Sequence, residues 1–253
     1  MLSEGHSVFI VDNLSSGFIS NVPNNAEFLE LDIRNQKKLQ NINYKFDVIY
    51  HLASHVGQEL SFESPQEDLE INLLGTQNLI NFSLERNPNA KFIFASSMNV
   101  YGNVGNPLSA VSENISPNPP SPYAVGKISS EYLLNIYSNF GLNYSSLRLF
   151  NVYGSNQDLK NLKQGMVSIF LSYILKNQPI IVRGSLERFR DFIHVFDVVD
   201  AFRILSSLNV QGVYNVCNGV PVTVKNLIRM LLEIANEDIN SYPIRLEIGR
   251  AHV

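Results

Sequence analysis

Lys91-Phe92-Ile93-Phe94-Ala95-Ser96-Ser97-Met98-Asn99-Val100-Tyr101-Gly102 decides the architecture. Its opening residues are short, β-prone and apolar almost without a break, then give way to polar residues. A strand with one wet face alternates apolar and polar, whereas a strand covered by helices on both faces does not. Phe46-Asp47-Val48-Ile49-Tyr50 repeats the unbroken pattern. Working outward, strands are expected at Ser7 to Asp12, Glu27 to Leu31, Phe46 to His51, Lys91 to Ala95 and Tyr144 to Leu149. Segments of helical period run from Gln66 to Glu85, Ser121 to Phe140, Met166 to Asn177, Asp197 to Ser207 and Thr223 to Ile234. Asn87-Pro88 and Asn139 to Gly141 act as stop signals. Strands alternating with helices predict an α/β fold with a doubly wound parallel sheet. Gly102 to Pro122, rich in Pro, Ser, Asn and Gly, reads as a long functional loop.

Composition narrows the partners. The chain has 253 residues, 45% of them hydrophobic and 17% charged, with a net charge of −4, which suits an ordinary globular protein with a sizeable core. Lysines and arginines are scattered, so neither nucleic acid nor an anionic membrane is an expected partner. The start of the chain carries no secretory or transit pattern, and the expected location is the cytoplasm. The single cysteine, Cys217, is expected to fill the core. His51 and His55 are four apart, but His51 ends a strand and no third ligand is evident, so no metal is expected.

Ligands of open α/β sheets sit beyond the carboxyl ends of the strands, which is where chemistry is sought. Asp12-Asn13 follows the first strand, and a carboxylate there can accept both hydroxyls of an adenosine ribose; the pair also suits a plain turn. Ser96-Ser97 follows the Lys91 strand. Tyr123-Ala124-Val125-Gly126-Lys127 then opens a helix, where residues four apart share one face. A phenol with an ordinary pKa near 10 is a poor base at neutral pH unless a nearby cation stabilises the phenolate. Lys127 offers that charge, and the Ser97 hydroxyl can hydrogen-bond an oxygen turning from alcohol to ketone. Taken alone, the same spacing also describes a surface Tyr-Lys pair.

Four ordered motifs add context: Phe94-Ala95-Ser96-Ser97-Met98-Asn99-Val100-Tyr101-Gly102, Pro122-Tyr123-Ala124-Val125-Gly126-Lys127, Leu147-Arg148-Leu149-Phe150-Asn151-Val152-Tyr153-Gly154, and Arg190-Asp191-Phe192-Ile193-His194-Val195-Phe196-Asp197-Val198-Val199. In order and spacing they resemble the extended short-chain dehydrogenase family of NAD-dependent epimerases and dehydratases. The likeness runs from about Leu2 to about Ile234 and is greatest to members that epimerise UDP-glucose at C4. It implies a Rossmann-like NAD domain over residues 1–150, a smaller substrate-binding region over 151–246, and a homodimer through the helices of 66–85 and 121–140.

The resemblance also implies roles. Ser97, Tyr123 and Lys127 would be catalytic. Asp12, Asn13, Asp32, Ile33, Leu52, Ala53, Ser54, Asn72 and Phe150, with Tyr123 and Lys127, would line NAD. Ser97, Asn151, Gln164, Gly165 and Arg190 would meet a nucleotide sugar, Arg190 and Asn151 at its diphosphate. Met98 and Asn99 stand where the dehydratases carry an acid, which favours epimerisation. A related reductase or dehydratase, and an inactive sheet fragment that binds no cofactor, are the alternatives. The family's glycine-rich turn has no match here, because Met1-Leu2-Ser3-Glu4-Gly5-His6 looks like the end of the helix that follows it. Residues 247–253 look like a non-native tail.

Overall fold

The computed structural model describes residues 1–55, 58–104 and 110–247. Strands β1 (Phe9–Asp12) and β2 (Glu27–Glu30) precede a short helix α1 (Gln36–Gln40). Then come β3 (Val48–His51), α2 (Gln58–Glu63), α3 (Pro65–Leu69), a π-helical stretch (Glu70–Gly75) and α4 (Thr76–Arg86). Next are β4 (Lys91–Ser97), α5 (Pro122–Ser138), β5 (Asn143–Leu149) and β6 (Asn151–Tyr153). The remainder is α6 (Met166–Leu175), β7 (Ile180–Arg183), β8 (Phe189–His194), α7 (Val195–Ser207), β9 (Gly212–Val216), β10 (Pro221–Thr223), α8 (Val224–Ile234) and β11 (Ile244–Glu247).

The main sheet has order β3-β4-β5-β9 and is parallel throughout. Its strands are buried on both faces, which explains the unbroken apolar pattern. Phe92 and Phe94 of β4 pack with Ile80 and Leu134 of α4 and α5, while Ile93 packs oppositely with Val198, Phe202 and Leu205 of α7. β1 and β2 form a separate parallel pair, fastened to α4 through a cluster of Leu31, Ile33, Leu39, Ile42 and Phe82. Among the described residues no strand joins β1 to β3, so the doubly wound fold has a break there.

A second region carries the three-stranded sheet β10-β8-β6 and the parallel pair β11-β7. These flank a core of Phe170, Ile174, Ile180, Val182, Val224, Ile228 and Leu232. Several expectations change in detail. The helix expected over Gln66 to Glu85 is three pieces, with the π-helical stretch in the middle. Thr76 Oγ1 donates to the Asn72 carbonyl (2.6 Å) there, a side chain competing for the helix ladder. Cys217 is exposed just past β9 rather than in the core, because β9 buries only Val216 at that end. Glu247, expected in the tail, closes β11 opposite Arg183, and its carbonyl accepts from Gly184 N (3.0 Å). Residues 248–253, and part of the expected Gly102 to Pro122 loop, lie outside the described residues.

Candidate active site

Ser97 ends β4, and its hydroxyl accepts from Asn99 N (3.2 Å), capping the turn Met98–Tyr101. Ser121 caps α5 by accepting from Ala124 N (3.3 Å), and Pro122 begins the helix with its φ already set. That start places Tyr123 in the first turn and Lys127 one turn on. Lys127 reaches back to β4, where Nζ donates to the Ala95 carbonyl (2.8 Å) and stands 4.9 Å from the Phe94 ring centre and 5.7 Å from that of Tyr123. The three side chains singled out by sequence therefore meet at the carboxyl end of one central strand.

Electrostatics here is governed by burial, since Tyr123 is 8% exposed and Lys127 3%. Burial pushes the Tyr123 phenol up to about 12; the Ser97 hydroxyl opposes this by favouring the phenolate, and the Asp68 charge adds to it. Burial brings the Lys127 ammonium down to about 7, against the pull of Asp68 and Glu131. Without a further positive charge nearby, the tyrosine rests as a phenol.

Two buried acids and an arginine frame this pair. Glu131, one turn after Lys127, receives the Arg148 guanidinium through Nη2 (2.7 Å) and Nε (3.0 Å) and the Ser96 hydroxyl as well. Arg148 also stacks on Tyr101 (4.7 Å) and donates to the Glu113 carbonyl (3.1 Å). The Glu113 carboxylate accepts from Asn215 N, and Asn215 accepts from the Tyr101 hydroxyl. This network ties the segment after the Met98–Tyr101 turn to β5 and β9. Asp68 is fully buried; Oδ1 meets His55 Nδ1 (3.1 Å) and Oδ2 has no partner, so burial raises its carboxyl.

Asp12 is exposed at the end of β1, and its Oδ1 accepts from Leu14 N (2.7 Å). Asn13 Nδ2 donates to Asp32 Oδ2 (3.0 Å), joining the ends of β1 and β2 beside a depression also lined by Asn35 and Lys38. The bidentate Arg34 holds the Asp32 carboxyl down at about 2. Ile33 turns its side chain into the core, where a Cβ on Gly75 would stand 2.5 Å from it, and its carbonyl accepts from Asn78. Leu52 and Ala53 are exposed beyond β3. Asn72 is buried and braces that loop, accepting from Ser54 Oγ (2.6 Å) and His55 N (3.2 Å). Phe150 is half-buried between β5 and β6.

Asn151 Nδ2 donates to the Asp191 carbonyl (2.8 Å), which sets Asn151 beside the strand that carries Arg190. Arg190 Nη1 donates to the Phe189 carbonyl (2.7 Å). Gln164 and Gly165 stand at the head of α6. Gly165 has φ +83, and a Cβ there would lie 2.2 Å from Gln157 Nε2, so glycine is required. Sequence reasoning missed Asp68, Glu131 and Arg148 as parts of the site. Their only signal was a lone charge in an otherwise uncharged strand, Arg148 within Tyr144 to Leu149.

A profile of the NAD dependent epimerase/dehydratase family matches residues 1–217. The chain belongs to that family. A provisionally named UDP-glucose 4-epimerase of Methanocaldococcus jannaschii is 35% identical over 260 residues, covering all of this chain and 83% of the relative. The crystal structure of Thermotoga maritima UDP-glucose 4-epimerase with UDP-glucose matches with TM-score 0.89 and 32% identity, over 99% of this chain and 80% of that one. Thermus thermophilus UDP-glucose 4-epimerase in complex with NAD also matches with TM-score 0.89, at 29% identity, over 100% of this chain and 82% of that one. This epimerase/dehydratase-family chain is thus similar over essentially its whole length to nucleotide-sugar enzymes, and no helix among its described residues is long and apolar enough to cross a membrane.

Proposed function

We propose that the chain is a nucleotide-sugar 4-epimerase that interconverts UDP-glucose-type and UDP-galactose-type substrates through a 4-keto sugar. The observation that carries the reading is the meeting of Ser97, Tyr123 and Lys127 at the end of β4, with the lysine held by the Ala95 carbonyl. Tyr123 takes the C4 hydroxyl proton as the C4–H bond breaks and the C–O single bond becomes a carbonyl. Ser97 donates to that oxygen as charge develops, and Lys127 favours the phenolate. Return of the proton from Tyr123 to the oxygen and of the hydride to the opposite face of C4, with the sugar turned over, gives the other epimer with no net redox change. Met98 and Asn99 carry no acid for the elimination a dehydratase performs.

The residues present fit the adenosine end of NAD. Asp12 spends only one oxygen on its turn, and the other lies over Gly17, where a Cβ would stand 3.3 Å from it. That cradle suits a ribose diol; Asn13 and Asp32 lie beside it, and Ser54, Phe150, Tyr123 and Lys127 extend toward the reacting end. Bound NAD supplies the oxidised ring that takes up hydride and gives it back. Asn151 and Arg190 would hold the substrate diphosphate.

The active form in this reading is a homodimer. Val125, Tyr132 and Ile136 form one apolar row along α5, Phe140 follows just past its end, and all four are exposed, Phe140 at 72%; Leu74 is exposed on the neighbouring π-helical stretch. Such a row suits helix pairing with a second copy. The reading is tested by Tyr123→Phe, assayed for conversion of UDP-galactose to UDP-glucose. Loss of an acid–base group is expected to slow turnover by about 100- to 10,000-fold. Undiminished turnover overturns the mechanism.

A further inference from the structure

Arg188 and Arg190 are the two half-buried arginines among the described residues. The buried Arg148 meets a carboxylate, and so do the exposed Arg34, Arg183, Arg203 and Arg229, while Arg86 and Arg245 are exposed to water. Arg188 and Arg190 form no ion pair among the described residues. Burial disfavours the charge of both, and each Arg190 charge is further disfavoured by Arg188 beside it. Arg188 Nε is buried with no hydrogen-bond partner. The acid nearest along the strand is turned away: Asp191 points to the opposite face, where its two oxygens accept from Asn218 N (2.8 Å) and Gly219 N (2.7 Å).

Two half-buried guanidiniums without a counter-ion carry a desolvation cost that nothing offsets in the ligand-free protein. A guanidinium keeps its proton under all ordinary conditions, so the pair cannot relieve itself by deprotonation. The arrangement becomes favourable once an anion with two negative groups lies across it. Arg190 and Phe192 alternate on one face of β8, opposite Asn151 across the β6 pairing. Arg188 lies just before β8, with Nη1 over the left-handed turn at Gly184, where a Cβ would come within 3.3 Å.

We propose that Arg188 is a second anion-binding residue, forming with Arg190 a two-guanidinium clamp that takes one phosphate of a nucleoside diphosphate on each arginine. This rests on the nucleotide-sugar reading and adds to it a residue and a selectivity: diphosphates are preferred over monophosphates and nucleosides. Arg190 alone would serve a monophosphate as well.

The test is calorimetric titration of UDP, UMP and uridine into the wild-type chain, Arg188→Gln and Arg188→Lys, with thermal melts of each protein without ligand. Losing a charge-assisted contact predicts that Arg188→Gln weakens UDP binding by about 10- to 100-fold. Uridine affinity should be unchanged, and Arg188→Lys should recover part of the loss. Because the charge is unpaired in the empty protein, Arg188→Gln without ligand should melt no lower than wild type. Equal UDP affinity in wild type and Arg188→Gln overturns the clamp, as does an equal loss for uridine. Failure of the wild type itself to bind UDP instead sinks the nucleotide-sugar reading on which the clamp rests.

Discussion

Lys127→Met provides the sharpest test of how the site is built. The lysine falls from the ordinary 10.5 to about 7 because burial disfavours its charge. In the unfolded chain it titrates normally, so between about pH 7 and 10.5 the unfolded state binds more protons than the folded one. Stability must therefore rise with pH across that window and be lowest below it. The full difference corresponds to about 5 kcal/mol, at about 1.4 kcal/mol per unit of pKa. From pH 7 to pH 9 the wild type should gain about 2 kcal/mol relative to Lys127→Met. Loss of packing by the lysine stem is a cost of the variant that does not change with pH and cancels from the comparison, while the charge-dependent part of the bond to the Ala95 carbonyl is already contained in the shifted pKa. Urea unfolding of both proteins at pH 7, 8 and 9 measures the difference. A wild-type advantage that shrinks as pH rises would refute a lysine whose charge is opposed by burial, and with it the account of how this site poises Tyr123.

Three further outcomes follow from the same contacts. Glu131→Gln leaves the Arg148 guanidinium buried without its acid and should cost about 3–5 kcal/mol in urea unfolding, with Glu131→Gln/Arg148→Met recovering part of it; a cost below about 1 kcal/mol would mean the network is ornamental. Gly102 has φ +63, and a Cβ there would stand 2.0 Å from the Asn118 carbonyl oxygen, so Gly102→Ala should lower the melting temperature by several degrees, at about 2–4 °C for each kcal/mol in a chain of this size. An unchanged melt would show that the backbone there shifts freely. Tyr132→Glu puts a charge into the exposed apolar row of α5 and should convert a dimer to a monomer in sedimentation equilibrium, while a wild type already monomeric at micromolar concentration would remove the proposed interface.

What sequence could reveal depended on how local the determining interaction is. The central strands and the longer helices were legible because each carries its own burial pattern: Phe92, Ile93 and Phe94 are all fully buried, and no partner need be known to infer that. Their boundaries moved by only a few residues. The strands β6 to β11 were not legible, because they are short and owe their existence to distant partners. Asn151 pairs with Phe192 and Ile180 with Ile244. Phe189-Arg190-Asp191-Phe192-Ile193-His194 attracts attention as a motif, yet its mixed polarity hides a strand that splits its duties, arginine to one face and aspartate to the other.

The site divides along the same line. Tyr123 and Lys127 were legible because four residues on a helix fix their relation without any tertiary knowledge. Glu131 and Arg148 lie on different elements, and a lone charge in either is ordinarily read as surface. Folding brings them together because β4 and β5 pair with Ser96 opposite Arg148, which presents both polar groups to the one helical carboxylate able to satisfy them. The position of Ser97 thus depends on an ion pair formed next to it. A substitution at Glu131 should release the Ser96 hydroxyl and the Arg148 guanidinium together and so loosen the end of β4 that carries Ser97; in the proposed reaction this would weaken the hydrogen bond to the sugar oxygen.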